Sequence, residues 1–100
     1  MQPLPTTIKA RGFVYQQLKR DGLCALYEQC SPGGSVAFEV IIIQVHPPAT
    51  MFGRTYEERE GYPHDEQWGR AGWTYRHREQ AEEAYARLVA TLSTPEEMSA

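Results

Sequence analysis

The chain has 100 residues, of which 41% are hydrophobic and 23% charged, and its formal net charge at pH 7 is −3. This length and composition predict one globular domain with a limited core. The acidic balance argues against a protein whose main work is to neutralise phosphates along a duplex. No apolar run is long enough to span a bilayer, and the first residues lack the apolar segment of a secretion signal. We therefore expect a soluble, cytoplasmic protein that does not bind membranes.

The first seven residues include two prolines, Pro3 and Pro5. Proline has no amide hydrogen to donate to a sheet, so this segment cannot be an interior strand. We expect residues 1–7 to form a flexible arm or an edge strap, with order beginning near Ile8. A single domain then covers residues 8–92, and residues 93–100 form a flexible tail.

A β-hairpin is predicted from Gly12 to Cys30. Its two strands, 12–20 and 23–30, are separated by Asp21-Gly22, the dipeptide typical of a type I′ turn. A two-residue loop at this place pairs Arg20 with Leu23. Alternation leaves both faces of the hairpin mixed. As the face covered by a helix we favour the one that carries Val14, Leu18, Ala25 and Tyr27.

A third strand is predicted over Ser35 to His46. Apolar residues occupy both of its faces in the middle, as with Val40 and Ile41, which is the pattern of a central strand covered on both sides. One helix covers only one face. The other face requires the long loop that follows, the N-terminal arm or a second copy of the protein, and this last alternative would make a homodimer.

Residues 47–71 separate this strand from the next, and structureless loops in compact domains are usually shorter. Some ordered structure is therefore expected inside. The candidates are a helical turn that begins at Thr55 and ends before Gly61, a second turn over Pro63 to Trp68, and an edge strand over Arg54 to Glu60. Loops often carry function, so an unusual function would lie here.

A short strand, Gly72 to Tyr75, leads into the only strongly periodic segment. Acidic residues near its start and Pro95 after its end predict a helix from about Arg78 to about Leu92. Its apolar stripe consists of Ala81, Ala84, Tyr85, Leu88, Val89 and Leu92. The predicted fold is α+β: an antiparallel sheet of three to four strands with one C-terminal amphipathic helix packed on a face.

No pattern predicts a catalytic, cofactor or metal site. The three histidines, His46, His64 and His77, lack the spacing of zinc ligands, and neither a Gly-x-Ser-x-Gly motif nor a glycine-rich phosphate loop is present. If Cys24 and Cys30 share one strand, roughly 20 Å separates them, which is beyond disulfide reach. We expect two free thiols, no cofactor and no enzyme. A small hydrolase or thiol enzyme is the least favoured alternative.

Two groups of residues are candidates for binding a protein partner. Aromatic residues dominate binding hot spots, although they also fill cores, and an acidic cluster suits a basic partner. The predicted partner-binding residues are Tyr62, Trp68, Trp73, Arg70, Glu57 and Glu58. A basic patch for nucleic acid is the alternative, and it would combine Arg11, Lys19, Arg20, Arg70, Arg76 and Arg78.

Two resemblances bear on function. Trp68-Gly69-Arg70 followed by Ala71-Gly72, with a helix downstream, is similar to the Trp-Gly-Arg signature of the DNA-end-binding domain of poly(ADP-ribose) polymerases, and implies nucleic-acid binding. The layout of residues 12–88 also resembles small uncharacterised proteins of bacteria and their phages. The segments that carry this second resemblance are Tyr15–Arg20 with Ala25–Gln29, Phe38–Ile41, Glu60–Pro63 and Trp68–Tyr75.

The second resemblance implies an accessory protein of a phage or mobile element. Our leading hypothesis is a non-catalytic interaction protein that acts on a protein partner by surface complementarity. A nucleic-acid-binding module is the alternative, and strong salt dependence of binding would distinguish it.

Overall fold

A computed structural model of the chain describes residues 2–93. These residues form β1 (Thr7–Ala10), β2 (Phe13–Asp21), β3 (Cys24–Cys30), β4 (Val36–Ile42), β5 (Gln44–His46), β6 (Ala49–Met51), β7 (Arg54–Tyr56), β8 (Arg59–Gly61), a 3-10 helix (Asp65–Gln67), β9 (Gly72–Tyr75) and α1 (Arg78–Ser93). The main sheet is antiparallel with strand order β1-β2-β3-β4-β9, and β5-β8 and β6-β7 form two small sheets. The predicted α+β fold is confirmed, with five strands in the main sheet. A flexible tail was predicted over residues 93–100, of which residues 94–100 lie outside the described part of the chain.

Helix α1 packs on one face of the main sheet. It begins at Arg78, as predicted, and the predicted end near Leu92 is within one residue of the observed end. The stripe residues from Ala81 to Val89 contact the sheet, whereas Leu92 is 48% exposed. The buried residues of this cluster are Cys24, Leu26, Phe38, Val40, Ala81, Ala84 and Tyr85.

The opposite face of the sheet is covered by two parts of the chain itself. Its cluster consists of Leu4, Ala25, Tyr27, Ile41 and Ile43, with Ile8, Tyr15, Tyr62 and Trp68 packed around it. Leu4 comes from the N-terminal arm, and Tyr62 and Trp68 come from the 47–71 connection. Two of the three alternatives for covering this face are therefore present together, and a second copy of the protein is not needed to cover it.

The prediction of which hairpin face the helix covers was wrong. Ala25 and Tyr27 lie on the face opposite α1, Val14 is 37% exposed, and only Leu18 of the favoured set packs against the helix cluster. A β-bulge between Gln17 and Lys19 explains the error. It adds a residue to β2, so that simple alternation does not carry across it.

The hairpin turn is also one residue from its predicted place. Asp21 pairs with Cys24, so the loop residues are Gly22, with φ +60°, and Leu23. The Tyr85 hydroxyl on α1 donates a hydrogen bond to Oδ2 of Asp21 at 2.5 Å. Asp21 is therefore held at the end of β2 by a residue distant in sequence.

The predicted third strand is interrupted at Ile43. Strand β4 ends at Ile42, and β5 pairs with β8 in a separate small sheet. The Ile43 side chain is only 2% exposed, and its amide donates to the Leu23 carbonyl at 2.7 Å. Burial of Ile43 just after the end of β4 thus accompanies the change of sheet.

The 47–71 connection contains three short strands and one 3-10 helix. The helical turn predicted at Thr55 is wrong, because β7 pairs with β6 and β8 pairs with β5 in this region. The alternative of an edge strand over Arg54 to Glu60 is closer, and the 3-10 helix lies inside the second predicted turn, Pro63 to Trp68. The partner of β8 is β5, which lies before the connection, so local turn signals could not reveal that pairing. Strands β6 and β7 instead form a local hairpin with Phe52 and Gly53 in its turn.

Candidate binding cleft

A cleft of about 820 Å³ lies on the sheet face opposite α1. One wall is formed by the β1–β2 hairpin and the other by residues 62–68 of the connection. Between these walls lie side chains from β3, β4 and β9. The lining residues are Ile8, Ala10, Arg11, Phe13, Tyr15, Gln29, Glu39, Tyr62, Pro63, His64, Asp65, Trp68 and Thr74.

Four aromatic rings follow one another along the cleft, and we call them the aromatic row: Phe13, Tyr15, Tyr62 and Trp68. Tyr62 is central, with its ring centroid 5.7 Å from that of Tyr15 and 6.4 Å from that of Trp68. The Tyr62 and Trp68 rings are 23° from parallel. All four side chains are half-buried, so part of each ring remains open to solvent.

Glu39 lies in the middle of β4, on the cleft side of the sheet. It pairs with Tyr27 on β3 and Thr74 on β9, both of which face the cleft side, whereas its neighbours Phe38 and Val40 face the helix. Only 6% of Glu39 is exposed. The strand therefore places one acidic side chain in an otherwise apolar sheet centre.

A chain of hydrogen bonds connects Glu39 to the aromatic row. The Tyr62 hydroxyl donates to Oε1 of Glu39 at 2.5 Å, and the Thr74 hydroxyl donates to Oε2 at 3.3 Å. Thr74 in turn accepts a hydrogen bond of 3.0 Å from Nε1 of Trp68. The polar atoms of two aromatic side chains thus meet the same carboxylate, Tyr62 directly and Trp68 through Thr74.

Glu39 has no cationic partner among the residues that the structure describes. The ion pairs there join Lys19 and Arg78 to Glu82, and Arg20 to Glu60. Burial raises the pKa of Glu39, hydrogen bonds from Tyr62 and Thr74 oppose this rise, and Asp65 adds to it. A buried carboxylate usually has an opposite charge beside it. Within residues 2–93, Glu39 therefore lacks the opposite charge that usually accompanies a buried carboxylate.

The Tyr62 hydroxyl remains a donor at neutral pH. Burial and the neighbouring Glu39 carboxylate raise its pKa well above the usual range. The segment around it is also held in place, since the side chain of Gln67 accepts from the His64 amide at 2.9 Å and donates to Gln44 at 3.1 Å. Hydrogen bonds therefore hold the cleft wall formed by residues 62–68 in place.

The structure separates the predicted partner-binding residues. Tyr62 and Trp68 line the cleft, whereas Trp73 lies on the other face and packs against the helix cluster. Arg70 is exposed, and its Nη2 donates to the Glu66 carbonyl at 3.3 Å. The two predicted acidic residues lie outside the cleft: Glu57 is exposed, and the backbone carbonyl of Glu58 accepts from the Gln2 amide at 3.0 Å.

Sequence reasoning missed three important cleft residues: Glu39, Tyr15 and Thr74. One signal was present for Glu39, because it is the only charged residue within the apolar run from Val36 to Ile43. Half of the basic patch predicted as an alternative is neutralised, since Lys19, Arg20 and Arg78 are engaged in ion pairs with glutamates.

A second exposed feature lies at the turn between β6 and β7. Phe52 is 98% exposed, and the adjacent Met51 is 54% exposed. Phe52 has φ +52°, which is uncommon for a bulky residue, and Gly53 follows with φ +76°. This hairpin tip does not line the cleft.

Within residues 2–93, no three or more His, Cys, Asp and Glu side chains are grouped so that they could hold a metal ion. No described helix combines the length and apolar character needed to cross a membrane. Comparison of the chain with models of protein families, with curated proteins and with solved structures gave no match.

Proposed function

We propose that this protein is a non-catalytic interaction protein of the cytoplasm that binds a protein partner through the cleft. The observation that carries the proposal is the aromatic row, whose rings remain partly exposed beside a buried carboxylate. Partly exposed aromatic side chains next to fixed polar groups are typical of binding sites and hot spots. The resemblance to phage proteins favours a host protein as the partner.

The charges around the cleft favour a protein partner over nucleic acid. Glu39 and Asp65 line it, against one arginine, Arg11. Phosphate backbones require cationic surfaces, and two carboxylates would repel them. Lys19 and Arg20, which the nucleic-acid alternative needed, are paired with Glu82 and Glu60.

The contacts of Glu39 favour binding over catalysis. Each of its oxygens accepts a hydrogen bond from a fixed side chain, Tyr62 on one side and Thr74 on the other. Such contacts hold a carboxylate in place and stabilise its charge. A rigid carboxylate beside aromatic rings suits recognition of a ligand.

Site-specific photo-crosslinking tests the proposal. A photoreactive residue replaces His64, an exposed residue of the cleft wall, and the protein is irradiated in a bacterial lysate. We expect one protein to be captured, and we expect its capture to fall at least tenfold when Trp68→Ala is added. The matched control, Leu92→Ala, changes an exposed apolar residue outside the cleft and should leave capture unchanged.

Two further variants examine the other surfaces. Phe52→Ala tests the hairpin tip, and the double change Glu57→Ala and Glu58→Ala tests the predicted acidic contact. Loss of capture with Phe52→Ala but not with Trp68→Ala would place the interface at the tip and contradict the proposal. Capture of nucleic acid in place of protein would favour the alternative function.

A further inference from the structure

We propose that the cleft binds the guanidinium group of an arginine side chain, with Glu39 as its counter-ion and the aromatic row as its stacking surface. The arginine belongs to the protein partner, so this inference rests on the proposed function. It adds the chemical class of the group that enters the cleft.

The first argument is that Glu39 lacks a positively charged partner in the part of the chain that the structure describes. Glu39 is 6% exposed and, among the described residues, forms no ion pair. An ionised carboxylate accepts about four hydrogen bonds, and Tyr62 and Thr74 supply two. Capacity for two more donors therefore remains, which matches the two parallel N–H groups that a guanidinium offers a carboxylate.

The second argument is the shape of the aromatic surface. Tyr62 and Trp68 have nearly parallel rings, 23° apart, with centroids separated by 6.4 Å. A planar guanidinium stacks on such rings, and it loses less hydration than an ammonium group does. A lysine ammonium gains the charge interaction with Glu39 but stacks less well. The geometry thus favours arginine over lysine.

The third argument is the charge of the cleft as a whole. Asp65 lines the cleft with Glu39, and Arg11 is the only lysine or arginine in the lining. Two carboxyl groups in the lining thus accompany one guanidinium group. The resulting field attracts cations and repels acidic ligands. A partner segment that carries an arginine is therefore complementary in both charge and ring contacts.

Three short peptides provide the test, each acetylated and amidated: Gly-Arg-Gly, Gly-Lys-Gly and Gly-citrulline-Gly. Citrulline has the shape of arginine without its charge. Binding is followed by the NMR signal of the Trp68 indole N–H. We expect the arginine peptide to bind at least tenfold more tightly than the citrulline peptide, with the lysine peptide between them. Equal binding of arginine and citrulline would overturn the proposal.

The variant Glu39→Gln tests the counter-ion. Glutamine has nearly the same shape and can still accept the hydrogen bond from Tyr62, so the fold should remain, which amide NMR spectra check. We expect the arginine peptide to bind about tenfold more weakly to this variant, and the preference for arginine over citrulline to disappear. Unchanged arginine binding would show that Glu39 is only a structural acid.

The pH dependence provides an independent readout. Protonation of Glu39 removes its charge, so arginine affinity should fall as pH decreases through its raised pKa. The groups that face Glu39 are Tyr62, Thr74 and Asp65, and Arg11 and His64 also line the cleft. The titration is repeated with Glu39→Gln, which has no carboxyl group to protonate. If that variant keeps the pH dependence, Glu39 is not its cause.

The outcomes separate this inference from the proposed function. Binding of the arginine peptide without a protein crosslink through His64 would sustain the guanidinium site and contradict the protein-binding function. A Trp68-dependent crosslink to a protein without any arginine preference would do the reverse. A neutral oligosaccharide that shifts the Trp68 signal more than the arginine peptide would also overturn the guanidinium site, because sugars stack on aromatic rings as well.

Discussion

Gly72 lies directly against the ring of Trp68. A β carbon at position 72 would be 2.5 Å from Cζ3 of Trp68 and 2.7 Å from Cε3, closer than carbon atoms pack. Residue 72 is therefore glycine because the Trp68 ring occupies the space of a side chain. The contact places the indole where its Nε1 reaches Thr74.

The first prediction is that Gly72→Ala displaces Trp68. Overpacking of this kind typically lowers the free energy of unfolding by about 1–3 kcal/mol. Because the indole ring is displaced, binding of the arginine peptide should also weaken. Denaturant unfolding and the Trp68 indole NMR signal measure the two effects. The control is Gly33→Ala, because the nearest atom to a β carbon there is 4.0 Å away. If both variants are equally stable, the ring is not held by this contact.

The second prediction concerns Glu60, which joins three parts of the chain. Its carboxylate forms a bidentate pair with Arg20, at 2.7 and 2.6 Å, and accepts from the Leu4 amide at 2.9 Å. The Glu60 side chain is 6% exposed and that of Arg20 is 28% exposed. Because the pair is largely buried, Glu60→Gln should lower the free energy of unfolding by about 1–3 kcal/mol.

The pH dependence of this effect has a definite sign. The hydrogen bonds from Arg20 and Leu4 lower the pKa of Glu60 from 4.5 to about 2. A carboxyl with a depressed pKa stabilises the fold above its unfolded pKa, and this stabilisation is lost as pH falls toward the folded value. The stability difference between the wild type and Glu60→Gln should therefore shrink between pH 4.5 and about 2. A difference that grows on acidification would contradict the assignment; Glu57→Gln, at an exposed site, is the control.

The third prediction tests the contact between α1 and the residue before the hairpin turn. The Tyr85 hydroxyl donates to Asp21, and burial together with this contact raises the Tyr85 pKa. Tyr85→Phe should lower the free energy of unfolding by about 1 kcal/mol or slightly more, since it removes one hydrogen bond to a charged group. Thermal and denaturant unfolding measure the loss. A larger loss for Leu92→Ala, which removes an exposed side chain, would count against this account.

The fourth prediction concerns the two thiols. Both cysteines lie on β3, at opposite ends, and neither is in a disulfide. Cys24 is 2% exposed, and burial and the nearby Asp21 raise its thiol pKa. Cys30 is half-buried and more accessible. Ellman's reagent should modify Cys30 first and Cys24 only on unfolding, and the variant Cys30→Ser should therefore react only when denatured. Fast reaction of that variant would show that the Cys24 environment opens in the native state.

The features that depend on local periodicity are predictable from the chain alone. The stripe from Ala81 to Val89 predicts α1, and the doubly apolar run around Val40 predicts a strand covered on both faces. The spacing of Cys24 and Cys30 along one strand likewise excludes a disulfide between them. These features depend on repeats of 2 or 3.6 residues, which are visible in a single chain.

The register, the covering of the second face and the cleft depend on contacts between residues that are distant in the chain. The bulge at Leu18 reverses the alternation of β2, and Asp21 next to the turn contacts Tyr85 on α1. The site joins Tyr15 on β2, Glu39 on β4 and residues of the connection, which are adjacent only once the sheet is assembled. Local patterns reveal which residues are apolar, but not which distant side chains meet, and the function proposed for this protein depends on such a meeting.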